Sequence, residues 1–164
     1  MSMVKTLLFS FCQWCDNSFF GHGVRNSVWL FPFVEIIHLL ALGLLGGTVL
    51  IVNLRLLGLR FREERVSELA KEVRPWMAGS LIVMLISGFF LFSSESVKMY
   101  GNWAFRAKMT SLALAVLFNF TVYRRVTMAD ETQISPARQR LAALVSLALW
   151  AGVGFAGRAI GYVN

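Results

Sequence analysis

The sequence predicts an all-α integral membrane protein, a four-helix up-down bundle preceded by an amphipathic helix lying in the membrane interface. Three observations carry that expectation. Of the 164 residues, 57% are hydrophobic and the mean hydropathy is +0.62, above the ~45–50% apolar content of ordinary soluble domains. The apolar residues fall in four runs, each close to the ~20 residues a helix needs to cross ~30 Å of hydrocarbon. Ten of the sixteen basic residues, which outnumber nine acidic ones to give a formal charge of +7, gather in two connecting loops.

Residues 1–24 form the first unit. Val4, Leu7, Leu8, Phe11, Trp14 and Cys15, with Phe19 beyond, recur at helical spacing, while Lys5, Ser10, Gln13, Asp16 and Asn17 take the other side. That pattern suits a helix lying in the interface. The apolar core after Lys5 is too short for a secretory signal, and no small-residue cleavage site follows it. The glycines of "GHG" at Gly21–Gly23 are expected to break the helix before the chain turns into the membrane near Ser27. Cys12 and Cys15 form a C-x-x-C. Asp16 stands where covalent haem attachment requires His, and no strand–helix alternation supports a thioredoxin-like site. Two packed, dispensable cysteines are expected.

The second unit, residues 25–164, holds spans at about 28–54, 76–94, 103–123 and 141–163. Val28–Leu54 is apolar except around Glu35 and His38, and Trp76–Ser94 carries no charge. Trp103–Tyr123 is apolar after Arg106 and Lys108, and Leu141–Val163 is interrupted by Arg158. In the first connection "REERVSELAKEVRP" reads as a helix ending before Pro75, which then opens the second span. Ser135 and Pro136 supply a cap and a first-turn proline for the fourth.

Arg55, Arg60, Arg62, Arg65, Lys71 and Arg74 lie in the first loop and Arg124, Arg125, Arg138 and Arg140 in the third, against only Lys5, Arg25 and Lys98 in the outer segments. This bias places both loops in the cytoplasm and both termini outside a bacterial inner membrane. Anionic membrane lipids, not nucleic acid, are the partners such loops imply. Gly43 and Gly47, and again Gly157 and Gly161, are spaced for close helix approach within the chain, between copies, or against other membrane subunits.

Glu35 and His38 are neighbours on one helical face. With the span opening near Val28, His38 lies roughly 15 Å deep, where an ionisable side chain marks a site. A di-iron centre needs two E-x-x-H motifs and further carboxylates, and no other acidic residue lies inside a span. Zinc needs three or four ligands. A b-type haem needs one axial His, its sixth position open or filled by Met84 or Lys108, with Arg106, Lys108 and Arg158 to pair its propionates. A quinone head needs only His38 and a carboxylate such as Glu35. His38 is accordingly the candidate haem-iron ligand, with Glu35, Lys108, Met84, Arg106 and Arg158 as cofactor-binding candidates.

"RNSVWLFPFVEIIHLLALGLLGG", followed by "NLRLLGL" at Asn53–Leu59 and "WAFRAKMTSLALAVLFN" at Trp103–Asn119, resembles a bacterial family of small four-helix membrane proteins with no assigned activity. The resemblance implies that Glu35, His38, Arg55 and Lys108 are the family's characteristic polar positions. It implies Asp where this chain has Asn53, and a His late in the third helix where it has Tyr123 and Arg124. More distantly, His38, Arg55 and Lys108 in such a frame are similar to HemJ- and CopD-type membrane proteins. Two functions are expected from these residues. One is a haem b or quinone protein of membrane electron transfer. The other is a non-catalytic accessory subunit of a larger respiratory or photosynthetic complex. Transport would call for a broken span or repeated halves, and neither is present.

Overall fold

The computed structural model describes residues 3–61, 63–129 and 134–162. Arg62, Val163 and the side chains of Val4, Lys5 and Phe19, all used above, lie outside the described set. The described residues are all helical, without strands. In order they form α1 (Met3–Asp16), α2 (Phe19–Asn26), α3 (Leu30–Leu56), α4 (Val66–Ser94), α5 (Ser96–Gly101), α6 (Trp103–Phe118), a π-helical turn (Asn119–Tyr123), α7 (Arg124–Met128) and α8 (Pro136–Ala159). Among them α3, α4 and α8 are long and apolar enough to cross a membrane. Over the third expected span α6 has 16 residues, and the π turn carries it on into α7 without a break.

The break after α1 falls at Asn17–Ser18, not at Gly21–Gly23, which lie inside α2. Ser18 accepts from the Gly21 amide at 3.1 Å and caps α2, satisfying one of the free amides of a helix start. Gly21 has another role. A Cβ there would lie 2.6, 2.7 and 2.9 Å from the carbonyl oxygens of Cys15, Ser93 and Asp16, so only glycine allows α2 this close to α1 and α4. On α1, Cys12 and Cys15 are buried while Leu7, Phe11 and Trp14 stay exposed, and Ser96 of α5 donates to the Cys12 carbonyl at 2.7 Å.

Helix α3 ends as its sequence dictates. Gly58 takes φ +73°, and the amides of Gly58 and Leu59 return to the carbonyls of Arg55 and Leu54 at 2.9 and 3.0 Å. This is the glycine-terminated closure of a helix C-terminus. Residues 57–65 alone then lead into α4, so the first connection is shorter than expected. The segment expected to stop before Pro75 instead continues through it. Pro75 forgoes one amide bond but is exposed, where its ring meets no neighbouring helix. Asn102 caps α6, accepting from the amides of Ala104 and Phe105 at 2.9 and 3.2 Å. Ser135 and Pro136 open α8 as expected.

The long helices pair α3 with α4 and α6 with α8, and α3 also meets α8. Their shared interior has two parts. Ala41, Leu45, Val49, Leu81, Met84, Leu112, Ala115 and Val153 form one, and Val52, Leu56, Val66, Ala70, Tyr123 and Ala143 the other. Alanines fill much of it, as suits helices drawn together by close packing. Large side chains point outward instead, with Leu40 at 69%, Leu117 at 62% and Phe155 at 78% exposure. Gly43 and Gly47 have nothing within 4 Å and face outward, whereas Gly157 lies against Lys108.

Candidate functional site

His38 sits two turns into α3 and faces α4. Its Nδ1 lies 2.9 Å from Ser87 Oγ. Ser87 in turn donates its hydroxyl proton back along α4, to the Val83 carbonyl at 2.7 Å with Met84 O at 3.3 Å. A serine has one proton to give. Directed to the backbone, that proton leaves Ser87 Oγ to accept from His38, the arrangement that matches the tautomer with its proton on Nδ1 and its acceptor lone pair on Nε2. The Met84 backbone also lies near the ring.

Gly88 makes the approach possible. A Cβ on it would stand 3.2 Å from His38 Cε1 and 3.7 Å from Nδ1, tighter than packed side chains accept. The sequence places Ser87 and Gly88 together in the one charge-free span. A small polar residue followed by glycine was the signal available there, and sequence reasoning passed over it.

Lys108 comes from the opposite pair of helices. It is half-buried, and its Cε, Cδ and Nζ run 3.6, 3.7 and 3.8 Å from the position of a Cβ on Gly157. Among the described residues no acidic group pairs with it. An imidazole packed on α4 and an ammonium packed on α8 are thus both half-buried among the long helices.

The other expected participants are elsewhere. Glu35 is exposed, so Ser87, not Glu35, orients the imidazole. The i, i+3 spacing put Glu35 beside His38 in projection, but α4 covers only the His38 side. Met84 packs in the core at 4% exposure. Arg106 is exposed, and Arg158 donates to Tyr162 Oη at 3.0 Å with its guanidinium 5.2 Å from that ring. Among the described residues no group of three or more His, Cys, Asp or Glu gathers to hold a metal ion.

Cys12 and Cys15 are both free. Burial pushes both thiols above their usual range, and Cys15 is raised further by Cys12. Unreactive packed thiols follow, since the thiolate is the reactive form.

The chain belongs to a family of unknown function, DUF6644, whose model matches residues 11–163. No curated protein and no solved structure matches it. The distant likeness to HemJ- and CopD-type proteins has no counterpart among these findings.

Proposed function

We propose that this family member is a four-span bacterial inner-membrane protein that receives the head of a redox cofactor, a quinone or a b-type haem, at His38 for electron transfer within the membrane. One observation carries the reading. His38 Nδ1 stands 2.9 Å from Ser87 Oγ, whose own proton has the Val83 carbonyl within reach at 2.7 Å, a geometry that supports an imidazole offering Nε2 as its acceptor. An imidazole held in one tautomer by a partner on its far nitrogen is the arrangement that prepares a ligand or a proton acceptor.

The donor set fits a quinone head directly. Lys108 donates to a carbonyl oxygen, and Nε2 accepts from the hydroxyl of the reduced form. The same residues would hold a b-type haem, with His38 supplying Nε2 to the iron and Lys108 a cation for a propionate. Either group supplies reversible electron transfer when bound. The chain's part is to hold the head, fix its orientation and keep bulk water out. Glu35, on the exposed face, takes no part in this site.

Purification from haem-replete cells, with a visible spectrum and chromatography of the extracted quinones, tests the proposal. One of the two groups should co-purify in near-stoichiometric amount and be lost from His38→Ala, while the helices still insert. A colourless, quinone-free protein would overturn it. The second reading, an accessory subunit, would then lead. It is favoured by the open outward face of Gly43, Gly46 and Gly47, which would accept a helix of a larger complex. Under both readings the termini lie outside, and a C-terminal reporter active only in the cytoplasm would refute that orientation.

A further inference from the structure

At the opposite end of the helices a small cavity of about 50 Å³ opens between α4, the π turn and α7. Its lining includes Val73, Arg74 and Met77 from α4, Asn119 and Tyr123 from the π turn, and Arg124 from α7. The two guanidiniums are exposed. Among the described residues neither has an ion-pair or hydrogen-bond partner. Two further polar groups are underused. The Asn119 amide reaches only the Met77 sulfur at 3.9 Å, and the buried Tyr123 hydroxyl has no partner.

The π turn produces this arrangement. The Arg124 amide bonds to the Asn119 carbonyl, one residue beyond the α-helical spacing. Such single wide turns recur at functional sites. Here the wide turn puts Asn119, Tyr123 and Arg124 on the same cavity wall.

We propose that this cavity is a binding site for an anionic phospholipid, with the head-group phosphate between Arg74 and Arg124 and the acyl chain laid over Met77 and the outer face of the π turn. Size decides against other occupants. Pockets that enclose a cofactor run to ~300–1,000 Å³, so this cavity holds an edge of a ligand that lies mostly outside. A phosphate ester at the membrane surface matches two unpaired guanidiniums by charge and by their paired donors. The apolar part of the wall adjoins the helix surface that faces lipid. Basic pockets between spanning helices on the cytoplasmic side bind acidic head groups in this way. The site is remote from His38 and independent of the redox reading.

The test uses full-length protein in a neutral detergent, titrated with mixed micelles containing phosphatidylglycerol or phosphatidylcholine, with inorganic phosphate as a third arm. Thermal unfolding and native mass spectrometry report binding. Phosphatidylglycerol should give a saturable rise in unfolding temperature and one retained lipid, and phosphatidylcholine neither. Arg74→Gln and Arg124→Gln should each weaken binding about tenfold. The distal pair Arg138→Gln/Arg140→Gln and the His38→Ala variant should leave it unchanged. Equal loss from the distal pair would show general surface attraction and overturn the site. Saturation by sub-millimolar inorganic phosphate that displaces the lipid would identify a free anion as the occupant and overturn the lipid assignment. Undiminished binding by the Arg74→Gln/Arg124→Gln double variant, with its fold intact, would also overturn it.

Discussion

His38 and Asn53 lie on the same helix, about 22 Å apart along its axis, and each leaves one acceptor without a partner. They differ in what surrounds that acceptor. Asn53 is fully sealed, with Nδ2 donating to the Val49 carbonyl at 2.8 Å and to Ser146 Oγ at 3.2 Å, while Oδ1 has no partner. His38 is only half-buried, with Nδ1 2.9 Å from Ser87 Oγ. A sealed, unpaired acceptor is a cost the fold carries for holding α3 against α8. A half-buried imidazole held from one side by a serine is, on the proposed reading, a place for a ligand. Burial, not position along the helix, is what separates the two polar groups.

Asn53→Asp should give the largest effect. It replaces a double donor by an oxygen facing the Val49 carbonyl and places a carboxylate where no cation answers it. Thermal unfolding in detergent should show a loss of about 3–5 kcal/mol. Wild-type stability in this variant would mean the pocket is not sealed, and the contrast with His38 would fail.

Ser87→Ala comes next and sharpens the other side of the comparison. It should cost about 1 kcal/mol of stability but weaken cofactor retention about 10–100-fold. Ser87→Thr, which keeps the hydroxyl, should restore most of the retention. Equal retention by the alanine and threonine variants would show that the Nδ1 hydrogen bond does not prepare the imidazole.

Gly88→Ala should have a smaller effect of the same kind. Its new methyl presses on His38 Cε1 from 3.2 Å, so the ring must shift by a few tenths of an ångström. Cofactor affinity should fall a few-fold with little change in unfolding temperature. A large fall in stability with affinity preserved would place the strain in the α3–α4 contact itself.

The smallest effect is expected at the N-terminal pair. Cys12→Ala/Cys15→Ala should leave assembly and cofactor content near wild type, with about 1 kcal/mol or less lost per site. In the intact protein both thiols should alkylate slowly at neutral pH, since burial holds them protonated, and quickly once unfolded. Fast alkylation of the folded protein would contradict the packing of α1 on α5.

The helices were legible because apolar length and capping are local. Ser135–Pro136 opening α8 and the position of His38 inside an apolar run can both be read from short windows. What failed depended on distance in space. Ser87 is 49 residues from His38, and a single sequence offers only Glu35, three residues away, as a partner. Gly21 looked like a helix breaker because its reason for being glycine, a close approach to Ser93 O, lies on another helix. Pro75 looked like a helix start because an interior proline gives up one backbone bond and crowds the carbonyl four residues before it, yet α4 runs through it. The wide turn at Asn119 carried no sequence signal that propensity could expose.

The continuity of α4 has a mechanical consequence. Its 29 residues give a rod of about 43 Å against ~30 Å of hydrocarbon. Counted back from Ser94, the hydrocarbon ends near Pro75, and roughly 13 Å of rigid stub carries Lys71 and Arg74 beyond it. A thinner bilayer tilts such a rod to hide its excess apolar length, and the stub swings with it over the head groups. Membrane thickness would thereby be converted into the position of charge at the membrane surface.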